Sequence, residues 1–176
     1  MGEPRVVVQR EMAAPVERVW RALTDLESMP GVVSGVDAVE VLTPGPFRVG
    51  TRWRETRRMF GRQATEEMYV TVCDAPERYV AEADHAGMHY VSEFRLDARA
   101  PGRTAVTMTF SAAPVAPAAR GKRPGLFMRL LNRLGTKAVA KAVMKDLSDV
   151  AASVERDEPD EREAGPGAAG PPPPAG

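Results

Sequence analysis

The apolar positions of the first 36 residues follow two different periods. Residues 5–12 begin with a run of β-branched side chains, which is typical of a strand. Residues 15–29 carry apolar side chains at helical spacing, namely Val16, Val19, Trp20, Leu23 and Leu26. The pattern predicts a strand and then a helix that begins at Pro15 and stops at Pro30. Residues 32–36 form either a short second helical turn or a loop.

Residues 37–113 consist of short segments in which apolar and polar residues alternate, separated by turn-forming residues. Alternation with a period of two predicts strands, because successive side chains of a strand point to opposite faces. Six strands are predicted here, over residues 37–42, 51 to about 60, 64–73, 78–84, 88–98 and 104–113. Because the connections between them are short, we expect an antiparallel meander.

The longest periodic segment follows a Pro- and Ala-rich linker over residues 114–124. Residues 126–154 carry an apolar stripe and predict a helix about 43 Å long, in which Gly135 introduces a kink. This helix is the only predicted element large enough to cover one face of the sheet. The predicted fold class is α+β, with a curved seven-stranded antiparallel sheet wrapped around a long C-terminal helix and with short N-terminal helices.

Length and charge limit the classes of function. The 176 residues predict one domain over residues 1–154 and a disordered tail over residues 155–176, which is acidic and rich in Pro, Gly and Ala. The 24 basic and 24 acidic side chains balance, so no electrostatic binding of nucleic acid is expected. High use of Arg, Ala and Pro is typical of a GC-rich bacterial genome.

Cysteine usage and hydropathy predict the compartment. Cys73 is the single cysteine, which excludes an internal disulfide and fits a reducing compartment. No apolar run approaches the roughly 18 residues that cross a bilayer, and the N-terminus shows no export signal. We therefore expect a cytoplasmic protein.

Four segments carry a family resemblance: APVERVWRALTDLESMPGVVSGV (14–36), VGTRW (49–53), DAPERYV (74–80) and PGRTAVTM (101–108). Together with the order of elements, they resemble the START/Bet v 1-like (SRPBCC) superfamily, and within it the bacterial polyketide cyclase/dehydrase and lipid-transport group. The resemblance implies a helix-grip fold with a hydrophobic cavity between the sheet and the C-terminal helix. Members of this group bind lipids, sterols, polyketides or other apolar molecules, and a minority catalyse cyclisation or dehydration. No universal catalytic residue is implied.

Extending the alternation along each strand predicts the side chains that face inward. The inward set includes Val72. The predicted ligand-binding residues are the aromatic, methionine and polar members of this set together with three residues of the long helix. They are Trp53, Glu55, Arg57, Met59, Glu66, Met68, Tyr90, Ser92, Phe94, Met108, Phe110, Phe127, Leu131 and Leu134. Methionines adapt to bulky apolar ligands of irregular shape. The alternative is a completely filled core.

Glu55 and Arg57 are the candidate catalytic residues, two positions apart on the predicted inner face and about 7 Å apart between Cα atoms. An unpaired charge there is costly, so we expect them to pair with each other or with Glu66. In one interpretation, Arg57 anchors a ligand carboxylate or an enolate and Glu55 acts as acid or base. In the other, the inner face opens to solvent and both charges line its mouth.

Two further groups are weak candidates. His85 and His89 flank a turn with Asp84 as the one nearby carboxylate, which makes a poor metal site, so no metal or cofactor is predicted. The long helix carries cations at four-residue spacing: Arg129, Arg133, Lys137, Lys141 and Lys145. They form either a solvated face or a weak contact with an anionic membrane surface.

Three functions are consistent with these patterns. The first is binding of an apolar small molecule, lipid or polyketide-like, in the cavity. The alternative is a polyketide cyclase/aromatase-like enzyme that acts on a poly-β-keto intermediate, and the third is an interaction module. An enzyme needs polar groups that converge on one atom, and only one such cluster is predicted, so binding is favoured. We expect a monomer or a homodimer.

Overall fold

The structure, a computed structural model, describes residues 5–59, 61–85, 87–115 and 126–156. The side chains of Met59, Arg62 and residues 126–134 lie outside this description, as do most of the predicted linker and the predicted tail from residue 157. Within the described ranges, the chain forms seven strands and three helices: β1 (Arg5–Met12), α1 (Val16–Thr24), α2 (Met29–Val32), β2 (Val36–Val41), β3 (Arg52–Met59), β4 (Arg62–Asp74), β5 (Arg78–His85), β6 (Met88–Ala100), β7 (Arg103–Pro114) and α3 (Leu126–Arg156).

The strands form one antiparallel sheet in the order β1-β7-β6-β5-β4-β3-β2. Strands β2 to β7 pair with their neighbours in sequence, as the short turns predict, and β1 joins the sheet beside β7, where Val6 opposes Phe110. Helix α3 packs against β1, β7 and α1. This arrangement is the predicted helix-grip fold, and it places the core between the inner face of the sheet and α3.

Helix α3 is interrupted at Gly135, as predicted. Gly135 has φ 76° and ψ 171°, a left-handed conformation that glycine adopts without the steric cost of a Cβ atom. After this kink, the apolar stripe lies against the sheet, and its buried members are Val139, Val143, Leu147, Val150, Ala151 and Val154. Because each large side chain contributes about 1.5–3 kcal/mol on burial, this stripe anchors α3 to the sheet.

Helix α1 is shorter than predicted. It ends at Thr24 because Asp25 adopts φ −79° and ψ 83°, and the Asp25 Oδ1 atom accepts the backbone N–H of Ser28 at 3.2 Å. Short polar side chains compete with the helix for backbone hydrogen bonds in this way. Leu26 is still buried, so the apolar period continues beyond the helix that it predicts.

The expected stop at Pro30 is wrong. Pro30 lies in the first turn of α2, where a missing N–H removes no helical hydrogen bond. The short second helix therefore begins before the predicted residues 32–36 and overlaps them only at Val32.

The prediction that Val72 faces inward is also wrong. The register of β4 against β5 shifts between Val70, opposite Ala81, and Val72, opposite Val80. An extra residue in one strand reverses the alternation beyond it. Cys73 consequently packs against the core in the place expected for Val72.

Candidate ligand-binding site

A cavity of about 150 Å³ lies between the inner face of the sheet and α3. Ten predicted ligand-binding residues line it, from β3, β4, β6 and β7: Trp53, Glu55, Arg57, Glu66, Met68, Tyr90, Ser92, Phe94, Met108 and Phe110. The side chains of the other four, Met59, Phe127, Leu131 and Leu134, lie outside the described residues. The alternation along the strands therefore brings its inward residues to one space, and their role as ligand contacts stays a prediction.

Strand β5 contributes lining residues that the prediction missed. Tyr79, Ala81 and Ala83 alternate along this strand and all face the cavity. The same period of two identifies them in the sequence, but small alanines carry no chemical signal of a site. Their short side chains leave space that a leucine or phenylalanine would fill.

Aromatic side chains close one end of the cavity. Tyr79 stacks on Phe94 with ring centroids 4.6 Å apart and an interplanar angle of 14°. Trp20 from α1 and Phe47 from the β2–β3 loop contact Tyr79 edge-on, with ring centroids 5.7 and 5.2 Å from that of Tyr79. Such pairs contribute about 0.5–1.5 kcal/mol each beyond the area they bury. This end of the cavity is therefore apolar and well packed.

The other end is charged. Glu55 forms an ion pair with the Arg57 Nε atom and accepts the Trp53 indole N–H at 3.3 Å. Arg57 Nη1 also donates to Asp146 Oδ2 at 2.7 Å, which ties β3 to α3. The predicted pairing of Glu55 with Arg57 is confirmed, whereas the predicted alternative with Glu66 is wrong.

Asp146 is the residue of this network that sequence reasoning missed. A signal was present, because Asp146 lies between Val143 and Leu147 in the apolar stripe of α3. Gly35 lets α3 approach closely, since a Cβ atom there would lie 3.2 Å from Asp146 Oδ1. The loop before β2 thus packs directly over the ion pair.

The network sits at the boundary of the cavity. Arg57 and Asp146 also line an outer groove, together with Lys141 and Lys145. The Arg57 side chain is 30% exposed, whereas that of Glu55 is 12% exposed. This geometry matches the interpretation in which the two charges line a mouth.

Burial and charge act in opposite directions on these groups. Burial alone would lower the pKa of Arg57, but the carboxylates of Glu55 and Asp146 outweigh it and raise that pKa above its usual value. Burial raises the pKa of Asp146, and Arg57 opposes this rise. Arg57 is therefore a firmly charged group held between two carboxyl groups.

Glu66 lies opposite Glu55 in the pairing of β3 with β4. Its Oε1 atom is buried and has no hydrogen-bond partner among the residues that the structure describes. Burial raises the pKa of Glu66, Glu55 raises it further, and His85 and Arg57 act in the opposite direction. A buried carboxyl oxygen without a partner is costly, and Glu66 lines the cavity.

Of the two histidines, His85 acts on Glu66, whereas His89 lies away from this network. His89 is on the outer face, with its ring nitrogens 3.0 Å from Glu82 Oε2 and 2.9 Å from Asp84 Oδ1. In the described part of the chain, no group of three or more His, Cys, Asp or Glu side chains is arranged to hold a metal ion.

Comparison with known families decides the relationship. The family model of polyketide cyclase / dehydrase and lipid transport matches residues 3–155. The chain belongs to that family. A search of curated protein sequences found no match for this family member.

Solved structures share the fold of this family member. The Zhui aromatase/cyclase from a Streptomyces species superposes with a TM-score of 0.72 at 19% identity, covering 90% of this chain and 98% of that one. A protein from Thermus thermophilus superposes with a TM-score of 0.69 at 22% identity, covering 89% of this chain and 100% of that one. A START superfamily protein from Mycobacterium smegmatis superposes with a TM-score of 0.67 at 14% identity, covering 88% of this chain and 99% of that one. At these identities, the likeness shows the helix-grip fold alone.

Proposed function

We propose that this protein binds a small apolar molecule in the cavity between the sheet and α3. The observation that carries the proposal is a cavity whose wall is mostly aromatic and aliphatic, with its charged groups confined to one end. Concave, largely apolar sites with a few placed polar groups are the usual form of small-molecule sites. Membership of a family described by lipid transport supports the same class of ligand.

The size of the cavity limits the ligand. Its volume is about 150 Å³. An apolar cavity of about that volume holds benzene, whereas sites for drug-sized ligands have roughly 300–1,000 Å³. The volume favours a ligand with one ring or a short chain over a folded poly-β-keto chain.

The proposal is tested by binding. We expect native mass spectrometry of gently purified protein to show a retained apolar molecule, and we expect 2-phenylethanol to bind in titrations. Ala81→Met should fill the cavity and abolish this binding, whereas Ala38→Met, on the exposed surface of β2, should leave it unchanged. If neither experiment detects a bound molecule, the cavity is not a ligand site and the interaction-module alternative gains.

A cyclase/aromatase-like enzyme is the second candidate. The charged network at the mouth favours it, because Arg57 can stabilise an enolate while Glu55 acts as acid or base. Two features weigh against an enzyme: the cavity is small for a poly-β-keto chain, and Arg57 is already paired with two carboxylates. Incubation with a poly-β-keto thioester distinguishes the candidates, since an enzyme changes the cyclised products and a carrier leaves the spontaneous mixture.

The location and partners are proposed from the sequence. We expect a cytoplasmic monomer or homodimer from a bacterial source. No helix in the described part of the chain is long and apolar enough to span a membrane. Surface contact with an anionic membrane through Lys137, Lys141 and Lys145 stays a prediction, and co-sedimentation with anionic and neutral vesicles tests it.

A further inference from the structure

The unpartnered oxygen of Glu66 is a feature that a purely apolar ligand does not explain. Buried polar atoms in proteins are almost always hydrogen-bonded. Glu66 Oε1 is buried in the cavity wall without a partner among the described residues. A ligand group that donates a hydrogen bond would satisfy it.

The charges around the cavity indicate which kind of hydrogen-bond donor the ligand carries. Three carboxyl groups line the cavity, those of Glu55, Glu66 and Asp146, and they face one guanidinium, that of Arg57. Both carboxylates in contact with Arg57 share its single charge. Counting the described lining residues, the net charge is −1 with a neutral Glu66 and −2 with an ionised one.

Among the described residues, the other cations do not offset this charge. Lys141 and Lys145 line the outer groove, beyond the pair of Arg57 and Asp146. Lys145 is also bound to Asp149, at 3.0 Å. His85 is exposed at the end of β5 and acts on Glu66 without lining the cavity. The described lining therefore carries fewer positive than negative charges.

We propose that the ligand is a lipophilic amine, whose protonated nitrogen pairs with Glu66 and whose apolar body packs against Tyr79, Phe94 and Met108. This inference rests on the proposed function and names its ligand class. The same charges disfavour an apolar carboxylate, because its anion would meet three carboxyl groups and an arginine that already has two partners.

Binding of the amine changes the protonation of Glu66. An ammonium group that meets a protonated Glu66 stabilises the carboxylate form, so the Glu66 proton leaves to solvent and the ammonium group keeps its own. The charged groups around Glu66 are Glu55 and Arg57 from β3, His85 from β5 and Asp146 from α3. Glu55 disfavours the carboxylate form of Glu66, whereas Arg57 and His85 favour it. At pH values where Glu66 is protonated, amine binding should release protons.

Three probes of equal skeleton test the ligand class with the wild-type protein: 2-phenylethylamine, 2-phenylethanol and phenylacetate. We expect the amine to bind roughly tenfold or more tightly than the alcohol, as for a charge-assisted hydrogen bond, and the carboxylate to bind most weakly. Calorimetry in two buffers of different ionisation enthalpy should show proton release with the amine and none with the alcohol.

A pair of variants on one strand assigns the effect to Glu66. Glu66→Gln should abolish the preference for the amine over the alcohol, because its neutral amide cannot pair with an ammonium group. Glu67→Gln, at the next position on the outer face, should change neither. If the alcohol binds as tightly as the amine, or phenylacetate binds best, the amine inference is wrong while the proposed function stands. If no probe binds, the proposed function itself fails.

Discussion

The two faces of β3 carry the same types of charged residue in different surroundings. On the inner face, Arg57 lies between Glu55 and Asp146, and these three side chains are 30%, 12% and 20% exposed. On the outer face, Arg54 pairs with Glu40 at 3.0 Å, with both side chains about half exposed or more. Arg54 and Arg57 are three positions apart on one strand, and this odd separation places them on opposite faces.

Burial decides how much an ion pair contributes to stability. An exposed pair is screened by water and contributes about 0–1 kcal/mol. A pair that is largely withdrawn from water is costly to form, but removal of one partner leaves an uncompensated charge. The outer pairs of β3 therefore act as a solvated surface, whereas the inner network is structural and borders the cavity.

Removal of the inner arginine should give the largest effect. Arg57→Met leaves Glu55 and Asp146 without their shared cation and should lower the free energy of unfolding by about 3 kcal/mol, the low end for a buried pair, because Arg57 is 30% exposed. Urea denaturation measures the change.

A second change checks the physical reason. Adding Asp146→Asn to Arg57→Met removes one of the two uncompensated carboxylates and should recover part of the lost stability. If Arg57→Met is as mild as an outer-face substitution, burial of the network is not what distinguishes the faces.

The pH dependence of stability should reveal the burial of Glu66 on the inner face. Burial raises the pKa of Glu66 above its usual 4.5, so the folded protein holds this proton more tightly than the unfolded chain. The stability from this group is fully present below pH 4.5 and is lost as pH rises through the folded pKa.

Glu66→Gln cannot lose this proton, and it provides the comparison. We expect the variant and the wild type to have similar melting temperatures at acidic pH, with the variant more stable by an increasing margin as the pH rises through the folded pKa of Glu66. Glu67→Gln should show no such trend. A constant difference between Glu66→Gln and wild type at all pH values would show that Glu66 does not titrate in this way.

The indole of Trp53 should matter less than the arginine. Trp53→Phe removes the hydrogen bond to Glu55 Oε2 and part of a side chain that is 4% exposed, so we expect a loss of about 1–2 kcal/mol. Thermal unfolding of Trp53→Phe and Trp20→Phe compares an indole bonded to the network with one in the aromatic cluster. Equal stability of Trp53→Phe and wild type would exclude a structural role for this bond.

The smallest effect is expected on the outer face. Arg54→Met breaks the pair with Glu40, and because both side chains are exposed, the expected loss is a few tenths of a kcal/mol. A double-mutant cycle with Glu40→Gln measures the coupling. Coupling above about 1 kcal/mol would contradict the assignment of this face to solvent.

Local patterns predicted the fold well because each element has its own period. The alternation in residues 88–98 and 104–113 and the stripe after Gly135 correctly placed Tyr90, Phe110 and Leu147 in the interior. The same patterns placed Glu55 and Arg57 on the inner face, beside each other.

Other features depend on long-range packing, which local periods do not encode. Asp146 reaches Arg57 across 89 positions, at a distance set by the docking of α3 and by the close approach at Gly35. The extra residue between Val70 and Val72 reversed the faces of β4 without a glycine or proline to mark it. The cavity depends on how these elements meet, so its volume was beyond sequence reasoning.

Methionine methyl NMR tests the central claim, that an apolar molecule occupies the cavity, most directly. Met68 and Met108 line the cavity, whereas Met12 is 1% exposed and does not line it. Titration with 2-phenylethanol should shift the Met68 and Met108 methyl resonances saturably and leave Met12 unchanged. If Met68 and Met108 do not move up to the solubility of the ligand, or if Met12 moves equally, the cavity is not the binding site.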